Sequence, residues 1–168
     1  TVVFTYKILL DYFFMKGARK LSHELQTFLG SGKQLAVLYV EDSEMVREST
    51  VDMLEEFFQH IDVAADGEEG LHKYQQFYDE HSAYYDIVIT DINMPKMDGI
   101  TMLESIYKIN ANAHVVVTSA HNESEYLLKL INMGVSSCIL KPIALEQVEK
   151  VLFIIIQTIN NHKELRRS

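Results

Sequence analysis

The sequence predicts an α/β protein with a five-stranded parallel sheet and helices on both faces. Short apolar runs rich in β-branched residues, such as Ile87–Ile89, alternate with longer stretches of helical periodicity. Five such units follow one another between residues 35 and 160, and strands that alternate with helices form parallel sheets. Because parallel crossovers are right-handed, only a few topologies remain for such a chain.

The predicted strands end at turn or capping residues that start the next helix. Ser43 is placed to cap the first helix, Asp66 precedes the second, and Gly134 is a typical helix stop. The predicted strands are Leu35–Val40, Ile61–Ala65, Tyr85–Thr90, His114–Thr118 and Ser136–Leu140. The predicted helices run from Ser43 to about Gln59, from Asp66 over Leu71, Tyr74 and Phe77, over Ile100–Ile109, over Ser124–Met133, and from Leu145 to at least Asn160. The candidate buried residues of the first helix are Met45, Val46, Met53, Leu54, Phe57 and Phe58.

Length and composition fit one ordinary domain with an extension. The chain has 168 residues, of which 48% are hydrophobic and 23% charged, as in soluble globular proteins. The net charge is −9, and the acidic excess lies beyond residue 34, so we expect no direct binding of nucleic acid. Cys138 is the only cysteine, which excludes an internal disulfide and fits a reducing, cytoplasmic compartment.

The amino-terminal part of the chain differs in composition from the rest. The segment Thr1–Met15 is apolar, but Lys7 and Asp11 interrupt it, and it is shorter than the ~20 residues of a membrane span. We expect an amphipathic or partner-packed helix, with a stub of a longer upstream segment as the alternative, and a flexible joint at Gly30–Gly32. The expected boundaries are 1–34 for the N-terminal helical extension and Gly-rich linker, 35–160 for the main domain, and 161–168 for a polar tail or linker.

Carboxylates stand at the ends of two predicted strands. Glu41 and Asp42 follow the first strand, and Asp91 follows the third. If these strands are neighbours, the three carboxylates share the crevice at the carboxyl ends of the sheet, where open α/β proteins bind ligands. Like charges this close need a cation, and oxygen ligands on short loops suit Mg²⁺. Each acid alone is as well explained by a helix-terminal charge, but the combination favours a metal site.

Two more polar side chains stand at the ends of the last two predicted strands. Lys141 provides a point charge for an anion that faces the metal, and Thr118 provides a hydroxyl donor. Taken singly, Lys141 is explained by a surface turn and Thr118 by the preference of strands for β-branched residues. Together with the acids they fit a carboxylate nucleophile that accepts a phosphoryl group.

Four motifs with consistent order and spacing lie between Leu35 and Asn160. They are Val40-Glu41-Asp42-Ser43, Thr90-Asp91-Ile92-Asn93-Met94-Pro95-Lys96-Met97-Asp98-Gly99, Val117-Thr118-Ser119-Ala120 and Leu140-Lys141-Pro142. In these motifs the chain resembles the receiver domain of two-component response regulators, the CheY-like superfamily. The resemblance implies a flavodoxin-like fold with strand order 2-1-3-4-5, an order taken from the family and not worked out from the spacing.

The resemblance also implies roles for the acid cluster. Asp91 would accept the phosphoryl group. Asp42, Asp91 and the backbone carbonyl of Asn93 would bind Mg²⁺ directly, and Glu41 would help through water. Mg²⁺ is therefore the expected cofactor.

The two remaining polar residues would hold the phosphoryl oxygens. The resemblance gives this role to Thr118 and Lys141, and it implies a cis peptide bond between Lys141 and Pro142. Three residues before the lysine the family has Tyr or Phe, whose rotation reports phosphorylation, whereas this chain has Cys138. We expect a small core thiol that cannot swing as a ring does, so Thr118 should act directly on the Ser119–Ser124 loop.

These features predict a receiver that takes a phosphoryl group from a sensor histidine kinase or phosphotransfer protein and then switches conformation or assembly. Its own chemistry would be limited to self-phosphorylation and autodephosphorylation, so we do not expect a metabolic enzyme. Two alternatives stay open: a docking module that works without phosphorylation, and the receiver fragment of a larger hybrid kinase or cyclase.

Both ends of the chain carry further patterns. Leu21–Leu25 resembles the start of a kinase phosphoacceptor box around His23. Gln26 and Phe28 break that pattern, so an amphipathic helix is favoured. In the last helix, apolar residues at heptad-like spacing are followed by a wider apolar surface that suggests a homodimer through this helix. The heptad-like positions are Leu145, Val148, Leu152, Ile155 and Ile159, and the wider surface is Phe153, Ile154 and Ile156.

Overall fold

The computed structural model describes residue 28 and residues 30–120 and 126–165. The predicted amino-terminal helix with His23 lies outside the described residues, as does most of the Ser119–Ser124 loop. The predictions made for those two segments therefore stay predictions.

From residue 36 onward, five strands and five helices alternate along the described chain. The strands are β1 (Ala36–Val40), β2 (His60–Ala64), β3 (Ile87–Asp91), β4 (Val115–Ser119) and β5 (Ser137–Leu140). The helices are α1 (Glu44–Leu54), α2 (Gly67–His81), α3 (Gly99–Ile109), α4 (Leu127–Met133) and α5 (Leu145–Leu165). The strands form one parallel sheet in the order β2-β1-β3-β4-β5, which confirms the fold that the sequence predicted.

Helices cover both faces of the sheet, which explains why the central strands are almost wholly apolar. Along β1, Leu38 and Val40 belong to the core beneath α2, α3 and α4, while Val37 and Tyr39 belong to the core beneath α1 and α5. All four side chains are fully buried. Because side chains alternate along each strand, the strands contribute residues to two separate cores, one on each face of the sheet.

The register of the strands brings their carboxyl ends together. Asp91 of β3 is paired with Thr118 of β4. Ser119 of β4 is in turn paired with Leu140 of β5, the residue before Lys141. Because β1 is the other neighbour of β3, residues from four separate loops meet at one edge of the sheet.

Helix α1 is shorter than predicted. It ends at Leu54 and not near Gln59, and the chain then turns, with the amides of Phe57 and Phe58 each donating to the Leu54 carbonyl at 2.9 Å. All three of these apolar side chains are buried, as predicted. The prediction that Met45 is buried is wrong, since it is 80% exposed. It lies in the first turn of α1, beyond the end of β1, where the sheet does not cover it.

The flexible joint predicted at Gly30–Gly32 is also wrong. These residues are helical, and a Cβ on the buried Gly32 would lie 2.8 Å from the Phe57 carbonyl oxygen. The ring of Phe28 contacts those of Phe57 and Phe153 at centroid distances of 6.2 and 5.3 Å. The segment around Gly32 therefore packs against the turn after α1 and against α5, and glycine permits the close approach.

Helix α5 directs most of its apolar residues to the sheet. Among the residues at heptad-like spacing, the buried ones are Val148, Leu152, Ile155 and Ile159. The prediction that Ile156 adds to an exposed surface is wrong: it is 1% exposed and packs near Gly32, because the entering chain covers this side of the helix. Ile154 and Phe153 remain 63% and 36% exposed. No helix within the described part of the chain is long and apolar enough to cross a membrane.

Candidate functional site

Three carboxylates meet at the carboxyl ends of β1 and β3. One oxygen each of Glu41, Asp42 and Asp91 lies within 4.8 Å of the others. Glu41 and Asp91 are buried, at 1% and 6% exposure, whereas Asp42 is exposed. The sequence predicted this cluster on the condition that the two strands that carry these acids are neighbours, and β1 and β3 are neighbours.

Lys141 joins the cluster from the far side of the sheet. Its Nζ lies 2.9 Å from Glu41 Oε2 and 3.0 Å from Asp91 Oδ2. Its backbone amide donates to the Ser119 carbonyl at 2.8 Å, which aligns the turn after β5 with the end of β4. The peptide bond between Lys141 and Pro142 is cis, as the resemblance implied.

Burial and the lysine set the ionisation of the site. Burial raises the pKa of Asp91 to about 6, although the hydrogen bond and positive charge of Lys141 oppose the rise. For Lys141, burial lowers the pKa, but hydrogen bonds to Glu41 and Asp91 outweigh burial and leave the pKa above its usual value. At neutral pH the site therefore holds an ionised Asp91 at a desolvation cost and a firmly protonated lysine.

Thr118 places a hydroxyl at the same edge. Its side chain is 1% exposed, and its Oγ1 has no hydrogen-bond partner among the residues that the structure describes. Buried hydroxyls are nearly always hydrogen-bonded, so a lone one beside a charged cluster indicates a place for a ligand atom.

The loop after β3 is held close to Asp91 by backbone contacts. The Gly99 amide donates to the Ile92 carbonyl at 2.8 Å, and a Cβ at Gly99 would overlap the carbonyl oxygen of Asp91. Asp98 caps α3 by accepting the Thr101 amide at 2.7 Å. Between these contacts the loop carries Asn93, which is exposed two residues after Asp91. The role of the Asn93 carbonyl stays a prediction.

The donor set fits a divalent cation. Three carboxylates face one ammonium, because Lys141 is the one cation within 4.0 Å of a side-chain oxygen of Glu41 or Asp91 in the described chain. Carboxylates crowded in this way favour a cation as their missing partner. Oxygen donors with an open, exposed side at Asp42 suit Mg²⁺, which keeps several of its waters.

Sequence reasoning missed one residue that shapes the site. Arg47 Nη1 donates to the carbonyls of Glu41 and Asp42 at 2.6 and 3.3 Å. This contact ties the first turn of α1 to the acidic turn. The signal was a basic residue one helical turn after Ser43, where its side chain reaches back towards the strand end.

The expectation of a buried Cys138 is wrong. The thiol is exposed, whereas its neighbour Ile139 is 3% exposed. Because β5 is the edge strand and side chains alternate along it, Ile139 faces the core while Cys138 and Leu140 face outwards.

A doubly wound sheet whose central strands end in an acid cluster facing one lysine defines a class of α/β proteins with a charged crevice at the topological switch point. The sequence profile of the response regulator receiver domain matches residues 37–153, and the chain belongs to this family.

Individual relatives agree with this assignment. The chain is similar to the chemotaxis protein CheY of Treponema pallidum, with 38% identity over 127 residues, which are 73% of this chain and 85% of that protein. It is 35% identical to CheY of Bacillus subtilis over 125 residues, covering 74% and 97% of the two chains. Among solved structures it resembles the CheX-CheY-BeF3-Mg+2 complex from Borrelia burgdorferi, with a TM-score of 0.65, 35% identity, and coverage of 72% and 88%.

Proposed function

We propose that this chain is a phosphoacceptor in two-component signalling and takes a phosphoryl group onto Asp91 in a Mg²⁺-dependent reaction. The observation that carries the proposal is the set of contacts around Asp91: a lysine at 3.0 Å and a buried threonine hydroxyl on the paired residue of β4. These groups are placed to bind the oxygens of an anion attached to the aspartate.

The residues of the chain divide the work. Asp42, Asp91 and the backbone carbonyl of Asn93 would hold Mg²⁺, with Glu41 helping through water, and the ion would supply positive charge to offset that of the phosphoryl oxygens. An Asp91 oxygen attacks phosphorus, and a new O–P bond forms. The P–N bond to the donor's histidine breaks, and its electron pair leaves on that nitrogen.

Lys141 and Thr118 act on the product. The Lys141 ammonium moves from the carboxylate oxygens to the phosphoryl oxygens, which carry more charge. The Thr118 hydroxyl donates to a phosphoryl oxygen and so acquires the partner that its buried position calls for. Movement of Thr118 at the end of β4 would pass to the following loop and switch the protein.

The partners follow from this chemistry. The donor is a phosphohistidine on a sensor kinase or a phosphotransfer protein, in the cytoplasm. Activity of the chain itself would be limited to self-phosphorylation and autodephosphorylation, so we class it as a signalling domain and not as a metabolic enzyme. The solved CheX-CheY-BeF3-Mg+2 complex of a 35% identical relative supports the choice of Mg²⁺ and of a phosphoryl-like ligand.

The test is phosphorylation by acetyl phosphate, followed by the intact mass of the protein. Wild type should gain one phosphoryl group with Mg²⁺ and none with excess chelator. Asp91→Asn should gain none, and Asp79→Asn, which changes an exposed carboxylate on α2, should behave as wild type. Labile phosphorylation of Asp91→Asn would refute the assignment. A folded wild type that gains no mass would favour a docking module that works without phosphorylation.

We also propose a homodimer through α5, with Ile154 at its centre. This residue is 63% exposed, and Leu140 on the neighbouring edge strand is 43% exposed. Sedimentation should give a dimer for wild type and a monomer for Ile154→Glu. Gln157→Glu, at another exposed position of α5, is the control. A wild type that stays monomeric at high concentration, with or without beryllofluoride, contradicts this proposal.

A further inference from the structure

The loop after β3 is tied to the start of α2 by an ion pair outside the acid cluster. Lys96 Nζ lies 2.5 Å from Asp66 Oδ2. Asp66 is 4% exposed, and its other carboxylate oxygen accepts the Glu69 amide at 3.0 Å as the cap of α2. A single buried carboxylate thus caps a helix and also holds the loop that follows Asp91.

Backbone contacts fix the same loop at its two ends. The Gly67 amide donates to the Met97 carbonyl at 3.0 Å, and a Cβ at Gly67 would lie 2.5 Å from that oxygen. The Gly99 amide donates to the Ile92 carbonyl at 2.8 Å. The part of the loop between these hydrogen bonds contains Asn93, whose carbonyl is the predicted metal ligand.

Lys96 adopts an uncommon backbone conformation. Its φ is +62°, in the left-handed region that residues with a Cβ rarely adopt. Such a conformation persists when its surroundings over-determine it, and this tends to occur at functional sites. The bond from the Lys96 side chain to the buried Asp66 provides that constraint on the exposed side of the loop.

We propose that Asp66 and Lys96 are positioning residues for the magnesium site, because their ion pair fixes the loop that presents the Asn93 carbonyl to the cation. This inference rests on the proposed function, since it assumes that Mg²⁺ binds between Asp42, Asp91 and this carbonyl. Neither member of the pair belongs to the acid cluster itself.

Fixation of the loop and an effect of charge alone predict opposite results when Lys96 is replaced. If the pair acted only through its electric field, removing the Lys96 charge would strengthen Mg²⁺ binding and removing the Asp66 charge would weaken it. If the pair fixes the loop, both changes weaken binding. At physiological ionic strength exposed charges are also screened beyond about 8 Å, which reduces the field effect further. The Lys96 variant therefore distinguishes the two explanations.

The experiment is calorimetric titration of the full chain with Mg²⁺. Lys96→Met and Asp66→Asn should each raise the dissociation constant about tenfold, the lower end of the range for residues that support metal ligands. Asn keeps the helix cap, so Asp66→Asn changes the ion pair alone. Lys96→Arg should restore binding, and phosphorylation by acetyl phosphate at saturating Mg²⁺ should return to the wild-type rate in every variant.

Lys129→Met is the matched control, because it removes an exposed lysine whose Nζ lies 2.8 Å from Glu104 on another part of the surface. It should leave the Mg²⁺ affinity unchanged. Lys96→Gly accepts the left-handed conformation without strain, so it should fold even if Met does not, and it should weaken binding equally. An unchanged or tighter affinity in the folded Lys96 variants overturns the inference. A wild type that does not bind Mg²⁺ overturns the proposed function itself.

Discussion

The two ends of the sheet use carboxylates in different ways. Towards the amino ends of the strands, two acids are satisfied by neighbours within the protein: Asp62 in the middle of β2 and Asp86 just before β3. Asp62 accepts the Tyr85 hydroxyl at 2.6 Å. Asp86 accepts the Ala36 amide through one oxygen and the Lys163 ammonium through the other, each at 3.0 Å. Such acids stabilise the fold, because their charge is matched by donors already in place.

At the carboxyl ends the same residue types are left with fewer partners. The side chains of Glu41 and Asp91 share the ammonium of Lys141, and the buried hydroxyl of Thr118 has no partner in the described chain. Groups arranged in this way destabilise the fold unless a ligand completes them. The difference teaches that function here depends on hydrogen bonds and charges that the protein alone does not satisfy.

The largest expected contrast is between two lysines. Lys141→Ala should lower the free energy of unfolding by about 2–4 kcal/mol without metal, because buried Glu41 and Asp91 lose their cation. Lys163→Ala, which removes an exposed partner of Asp86, should cost less than about 1 kcal/mol. Urea denaturation measures both.

The same variant also separates metal binding from switching. Lys141→Ala should still bind Mg²⁺, but phosphorylation should cause a smaller change in its amide NMR shifts, because the phosphoryl anion lacks its counter-charge. Equal shifts in Lys141→Ala and wild type would count against the account.

Replacing Asp by Asn should have opposite effects at the two ends. The pKa of Asp91 rises from 3.8 to about 6 on folding, so its stabilising contribution is complete below pH 3.8 and is lost as the pH rises through about 6. Without metal, Asp91→Asn should therefore match wild type near pH 4 and exceed its unfolding free energy by about 1–3 kcal/mol near pH 7. Asp86→Asn should instead lose about 1–2 kcal/mol, because charge-assisted hydrogen bonds are weakened.

Adding Mg²⁺ provides a control for this pH dependence. Saturating Mg²⁺ at neutral pH should stabilise wild type and remove most of the advantage of Asp91→Asn. Denaturation curves across this pH range decide the question. An Asp91→Asn variant that is less stable than wild type near pH 7 would contradict the desolvation cost assigned to the ionised Asp91.

The smallest contrast concerns two hydroxyls. Thr118→Val replaces a buried hydroxyl without a partner by an isosteric methyl group, so the unfolding free energy should be unchanged or up to about 1 kcal/mol higher. Tyr85→Phe removes a hydroxyl that donates to Asp62. It should therefore lower the free energy of unfolding by about 1 kcal/mol, because Asp62 is left with one donor fewer. Thermal denaturation of both variants measures this, and a destabilised Thr118→Val would indicate a structural partner for the hydroxyl.

The acid cluster was predictable because it depends on topology more than on side-chain packing. Once Glu41 and Asp91 are assigned to the ends of parallel strands, their meeting follows from the geometry of the sheet. The strand order itself came from family resemblance and not from spacing. The lysine and threonine followed by the same logic, since Thr118 and Lys141 end the next two strands.

Burial of single side chains was less predictable, because it depends on what covers each face. Cys138 is exposed because an edge strand has one uncovered side. Ile156 is buried because the segment around Gly32 packs over α5, which no periodicity within the helix reveals. The contact between Lys96 and Asp66 joins residues 30 positions apart and depends on a left-handed residue. Short sequence patterns carry little information about such long-range contacts.

The most direct test of the difference between the two ends is an amide NMR titration with Mg²⁺ and beryllofluoride. We expect saturable shifts at the carboxyl end, with unchanged signals near Asp62, Asp86 and Lys163. The amides expected to shift are those of residues 41–43, 91–99, 117–119 and 140–142. Shifts centred on the amino end, or none that saturate, would contradict the assignment of the acid cluster as the functional site.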